Sequence, residues 1–176
     1  MARPSPFPKP RVASSKILSR AEASAWAAGL RAAGKRLAFT NGCFDLLHSG
    51  HVDYLEAARR QGDALVVGVN TDRSLSASKG PGRPFVPERE RAELLAALAA
   101  VDAVTLFDEP TPYDVILALR PAVLVKGADW AENAIVGGDL VQAGGGQVVR
   151  IELTAGRSTS ALIAAVRAGR TMGERD

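Results

Sequence analysis

Residues 36–61, "RLAFTNGCFDLLHSGHVDYLEAARRQ", contain a short apolar run, a glycine-bearing loop and an amphipathic helix in direct succession. "RLAFT" (36–40) reads as a buried strand, and "HVDYLEAARRQ" places Val52, Leu55 and Ala58 on one helical face. The next apolar run, "ALVVGV" (64–69), is continuous rather than alternating, as in strands covered on both faces. Working outward, "AVTLF" (103–107), "AVLVK" (122–126) and "QVVRIEL" (147–153) read as further strands. Helices read over 88–100, from a cap at Thr111 in "TPYD", before Gly144–Gly146, and over 158–168. Ser19 and Glu22 in "SRAE" form a capping box that opens a first helix running to about Gly34. "SASKGPGRPFVP" (76–87) reads as a loop. The order is one helix followed by five strand–helix units. This predicts a doubly wound, Rossmann-like α/β fold: a five-stranded parallel sheet with helices on both faces. Ligands of such a sheet bind at the carboxyl ends of the strands, where strand order reverses.

The chain has 176 residues, enough for one domain with a substantial core, with 47% hydrophobic and 23% charged residues. No apolar run reaches the ~18 residues of a membrane helix. The single cysteine, Cys43, allows no intrachain disulfide, in keeping with a cytoplasmic location. The net charge of +3 is unevenly placed. Arg3, Lys9, Arg11, Lys16 and Arg20 stand in the first twenty residues without an acid, so the remainder carries −2. That removes the electrostatic support for nucleic-acid binding. Prolines at 4, 6, 8 and 10 argue against a targeting helix, so residues 1–15 are expected to be a disordered basic tail and 16–170 a single domain.

The chain has two histidines, His48 and His51, both at the start of the helix after the first strand. At i and i+3 they share a face, where free N–H groups and the positive end of the helix dipole attract phosphate. Gly50 leaves room for close approach. A plain cap with two satisfied polar residues is the alternative. A zinc site is disfavoured because two histidines and a buried cysteine lack a further ligand at suitable spacing. Cys43 reads as packing, with no base to activate it. Asn41 and Asp45 are polar groups at a strand end, suited to hydroxyl recognition, and a turn or helix-cap residue is the alternative for Asp45.

"NGCFDLLHSGH" resembles the H-x-G-H signature of the cytidylyltransferase-like nucleotidyltransferases. Taken with "GDALVVGVNTD", "KGPGRP", "RAELLAALAAVD", "DEPTP", "VLVKGADW", "IVGGD" and "GRSTS", it is similar to the heptose 1-phosphate adenylyltransferase branch, over about residues 16–168. That activity occurs as one half of a bifunctional kinase–transferase or as a separate protein. This chain, with no kinase half, resembles the separate form. The resemblance implies transfer of AMP from ATP to D-glycero-β-D-manno-heptose 1-phosphate, giving ADP-heptose and pyrophosphate for the lipopolysaccharide core. It implies in-line attack without a covalent enzyme intermediate, Mg²⁺ carried mainly on the ATP phosphates, and a cytoplasmic homodimer. His48, His51 and Lys79 are the catalytic candidates it implies. Thr40, Asn41, Gly42, Phe44, Gly50, Lys126, Gly127, Asp129, Trp130, Ser158 and Thr159 are those for the nucleotide. Asp45, Asn70, Asp72, Arg83 and Arg91 are those for the sugar phosphate. No metal ligand is expected from the protein. Lys79 and Arg83 are expected in a mobile loop that closes on the triphosphate. One departure bears on the base: Leu153 stands where related cytidylyltransferases carry an arginine, and Arg157 lies four positions on. A cytidylyltransferase for another sugar or alcohol phosphate and a non-catalytic nucleotide sensor are the alternative functions.

Overall fold

The computed structural model describes residues 12–131, 134–154 and 156–169. A 3-10 turn, Ala13–Lys16, precedes α1 (Arg20–Ala32), β1 (Leu37–Gly42), α2 (Ser49–Arg59), β2 (Ala64–Asn70), α3 (Asp72–Lys79) and α4 (Glu88–Ala97). Then follow β3 (Ala103–Phe107), α5 (Tyr113–Leu119), β4 (Val123–Gly127), α6 (Gly138–Ala143), β5 (Gln147–Ile151) and α7 (Thr159–Arg167). All four strand pairings are parallel, in the order β3-β2-β1-β4-β5. The fold is the α/β arrangement expected, with strand order reversing between β1 and β4.

Alternation along each strand sorts the core into two layers. Leu37, Phe39, Ala64, Val66 and Leu124 pack against α1, α5 and α6 on one face. Ala38, Leu65, Val67, Val104, Val123 and Val125 pack against α2 and α4 on the other. The capping box at the head of α1 forms as its sequence requires: the Ser19 amide donates to Glu22 at 2.8 Å and the Glu22 amide to Ser19 Oγ at 3.3 Å.

Four local expectations differ. The loop expected over 76–87 starts later, because Asp72–Lys79 form helix α3: Thr71 caps it, accepting from the Ser74 amide at 3.2 Å. Val52 stays partly exposed while Leu55 and Ala58 of the same helix are buried. The N-cap of α5 is Pro112, not Thr111, and Thr111 lines the cleft described below. The boundary expected at residue 15 falls inside the 3-10 turn Ala13–Lys16; residues 1–11 of the expected tail, and residue 170, lie outside the described residues.

The segment before α1 covers the outer edge of β3. Ile17 bridges Val104, the Leu18 amide donates to Val104 O at 2.8 Å, and Lys16 Nζ donates to Val101 O at 2.8 Å and Leu98 O at 3.3 Å. An open strand edge is otherwise a row of unpaired backbone groups. Deleting residues 1–18 is expected to cost about 2–3 kcal/mol, at roughly 1 kcal/mol per lost bond. Deleting residues 1–11 leaves these bonds whole. Thermal melting of the two truncations checks this; equal losses in both would place the stabilisation in the earlier residues.

Candidate active site

A cleft of about 690 Å³ opens at the carboxyl ends of β1 and β4, at the strand-order reversal. Elements distant in sequence meet there. Lys126, at the end of β4, donates from Nζ to Asn41 Oδ1 at the end of β1, 2.5 Å away. Burial pulls the Lys126 pKa down to about 8, against the opposing pull of Asp129. Its ammonium lies 5.6 Å from the centroid of the half-exposed Trp130 ring.

The two histidines stand at the mouth of α2. Their rings stack at a centroid distance of 3.9 Å, and Phe44 packs on His51 at 5.3 Å. The His48 amide donates to His51 Nδ1 at 3.4 Å. That bond leaves the proton of a neutral His51 on Nε2. Burial, and then the neighbouring His48, push the His51 pKa down to about 4. Burial, and then Arg157, hold His48 below its ordinary value. Both rings are therefore neutral at pH 7. His48 Nδ1 is buried and has no hydrogen-bond partner among the described residues.

Gly50 is required by packing. A Cβ there would stand 2.9 Å from Arg157 Cβ and 3.1 Å from His48 Nδ1. Gly50 also lines the cleft.

Most of the expected site residues line this one cleft: Asn41, Gly42, Phe44, Asp45, His48, Gly50, His51, Asn70, Lys79, Arg83, Lys126, Gly127, Asp129, Trp130, Ser158 and Thr159. Several have structural partners as well. Ser158 caps α7, its Oγ accepting from the Ala161 amide at 3.1 Å. Thr159 Oγ1 donates to Leu46 O at 3.4 Å. Phe44, with φ +48, is 7% exposed and mainly supports His51. Lys79 ends helix α3 rather than riding on a loop.

Arg83 is likewise tethered. Its Nε donates to Asp45 Oδ2 at 2.5 Å, and the amides of Phe85 and Val86 donate to Asp45 Oδ1 at 2.7 and 3.0 Å. Burial works to raise the Asp45 pKa, but the bonds from Val86, Arg83 and Phe85 outweigh it and hold the carboxylate below its ordinary range. Asp45 thus clips the 80–86 segment to the β1–α2 loop.

Three expected residues do not face the cleft. Thr40 is fully buried, its hydroxyl 2.8 Å from that of Tyr54. Arg91 is fully buried: Nε donates to Val86 O at 2.9 Å, Nη1 to Cys43 O at 2.5 Å, and Nη2 to Asn70 O at 2.8 Å and Asp72 Oδ1 at 2.7 Å. Asp72 is the carboxylate of that pair. Arg91 and Asp72 thus tie the β1 and β2 loops to α4. Conversely, Tyr54, Thr111, Leu153 and Arg157 line the cleft. Of these, Arg157 had a visible signal, adjacency to the "STS" helix start. Tyr54 reads only as an aromatic on an amphipathic helix.

Among the described residues, no group of three or more His, Cys, Asp or Glu could hold a metal ion, and no helix is long and apolar enough to cross a membrane. Residues 39–153 match the cytidylyltransferase-like family. The bifunctional protein HldE of Methylobacillus flagellatus is 61% identical over 130 residues, covering 74% of this chain and 27% of that protein. HldE of Magnetococcus marinus is 53% identical over 155 residues, covering 88% and 32%. The chain thus spans about a third or less of the length of these relatives. The crystal structure of the lipopolysaccharide core biosynthesis protein from Thermoplasma volcanium GSS1 superposes with a TM-score of 0.58 at 28% identity, covering 69% of this chain and 99% of that one. By a match that spans both the H-x-G-H loop and the strands that carry it, the chain belongs to the cytidylyltransferase-like family.

Proposed function

We propose that this protein transfers AMP from ATP to D-glycero-β-D-manno-heptose 1-phosphate, forming ADP-heptose and pyrophosphate for the lipopolysaccharide core. The stacked, neutral His48–His51 pair at the head of α2, inside the cleft at the β1–β4 reversal, carries this reading. The motif resemblance and the similarity to HldE proteins and to a lipopolysaccharide core biosynthesis protein support it. A phosphate oxygen of the sugar phosphate attacks the α-phosphorus, and the bond from that phosphorus to the β-bridging oxygen breaks in line. No side-chain nucleophile is needed. Burial raises the pKa of Cys43, the thiol in the cleft, which suits packing rather than attack. Catalysis then rests on alignment and on donors aimed at the crowded phosphates. His51 Nε2–H is one such donor. Lys79 and Lys126 supply positive charge from opposite sides of the cleft.

Mg²⁺ fits this donor set as an ion that arrives on the triphosphate with most of its waters. Asp129 is the cleft carboxylate placed to take a protein-side contact, since Asp45 is engaged by Arg83. When bound, the ion masks triphosphate charge. A cytoplasmic homodimer is part of the same proposal, and light scattering checks the subunit number.

The apolar wall of the cleft supports a purine base, and the motif resemblance makes that purine adenine. Leu153 and Trp130 are both 49% exposed there, and a Cβ at Gly127 would lie 3.3 Å from Leu153 Cδ1. A purine presents the larger face to such a wall. Pairing mismatches cost ~1–3 kcal/mol each, so a preference of about tenfold or more for ATP is expected. Measuring kcat/KM for ATP, CTP, GTP and UTP with the heptose phosphate tests this. A tenfold win for CTP or GTP would overturn the adenylyl assignment and leave the transfer chemistry standing. ATP binding with no pyrophosphate release for any sugar phosphate would favour the sensor reading.

A further inference from the structure

Arg157 belongs to none of the roles assigned above, yet it lines the cleft. The turn that carries it is anchored. The Arg157 amide donates to Thr154 O at 3.2 Å, and Thr154 Oγ1 donates to Asp53 Oδ2 on α2 at 2.9 Å. The stem of Arg157 lies against Gly50 in the first turn of α2, so close that a Cβ at Gly50 would stand 2.9 Å from Arg157 Cβ. Arg83, the other arginine of the cleft, is engaged by Asp45. Among the described residues the Arg157 guanidinium forms no ion pair. Its position is fixed at the base while its charged end is uncommitted.

We propose that Arg157 binds the terminal phosphates of the nucleoside triphosphate, holding the pyrophosphate group as it leaves. This rests on the nucleotidyl-transfer reading above and extends it. As the bond to the α-phosphorus breaks, negative charge accumulates on the departing β-phosphate. A planar guanidinium matches two phosphate oxygens at once, and it stays charged at every pH of interest. Ser158 and Thr159, next along the chain, present the start of α7 on the same side. The same placement divides labour with His48. Burial first, and then this neighbouring cation, disfavour a charged His48, so Arg157 supplies the charge beside a ring held below its ordinary pKa.

Calorimetric binding of ATP, AMP and inorganic pyrophosphate to the intact chain and to Arg157→Ala tests this. ATP and pyrophosphate are expected to bind the variant ~10- to 100-fold more weakly, with AMP changed by less than about twofold. The melting temperature should hold, because Arg157 is exposed. The His48 imidazole, followed by NMR, should titrate at higher pH once the neighbouring charge is gone. Unchanged ATP binding, or equal weakening of ATP and AMP, would overturn the assignment. If the unsubstituted chain itself bound neither ATP nor pyrophosphate, the nucleotidyl-transfer reading would fall with it, and the two failures are told apart by which protein shows them.

Discussion

His51→Ala and His48→Ala are each expected to lower turnover by about 10²-fold or more, with the Kd for ATP changed far less. Loss of one preorganised donor to developing charge typically costs this much in rate. The stacked rings, 3.9 Å apart, are held by Phe44, by Gly50 and by the His48 amide. That support positions them before substrate arrives, so their effect falls on the transition state rather than on ground-state binding. Single-turnover rates and ATP titrations on the two variants separate these quantities, with melting curves as the control for folding. Near wild-type turnover in both would remove the histidines from the mechanism.

Arg91→Ala is expected to destabilise the fold by about 3–5 kcal/mol, at roughly 1–3 kcal/mol for each carbonyl acceptor it leaves unpaired. The side chain is fully buried, and its loss leaves the carbonyls of Val86, Cys43 and Asn70 without their donor, while Asp72 keeps access to solvent. For a chain of this size that corresponds to a fall in melting temperature on the order of 10 °C. KM for the sugar phosphate, measured well below the transition, should change little, because Arg91 does not reach the cleft. An unchanged melting temperature with a raised KM would instead make Arg91 a substrate contact, as the motif resemblance implied.

His48 and His51 could be read in order along the chain, and the buried tie made by Arg91 could not. The parallel sheet was legible because its strands are continuous apolar runs bounded by glycine and polar loops, and such runs have no stable place except between two layers. The His48–His51 pair was legible because its spacing and its position after a strand are both local. Helix α3 was not. "DRSLSASK" is polar and serine-rich, and its conformation depends on Thr71 capping, Asn70 Nδ2 bonded to Ser74 Oγ at 3.0 Å, and the Arg91–Asp72 pair. Arg91 itself, in "ERERAELL", has the local pattern of an exposed helix arginine. Only packing of α4 under the β1 and β2 loops turns it into a buried tie. The same holds for Lys126 and Asn41, 85 residues apart and bonded across the strand-order reversal, and for Arg157 against Gly50. Periodicity and capping are short-range and so are written in the sequence. The cleft is made where separate strand ends converge, and which side chains meet there is decided by the order of the strands in the sheet.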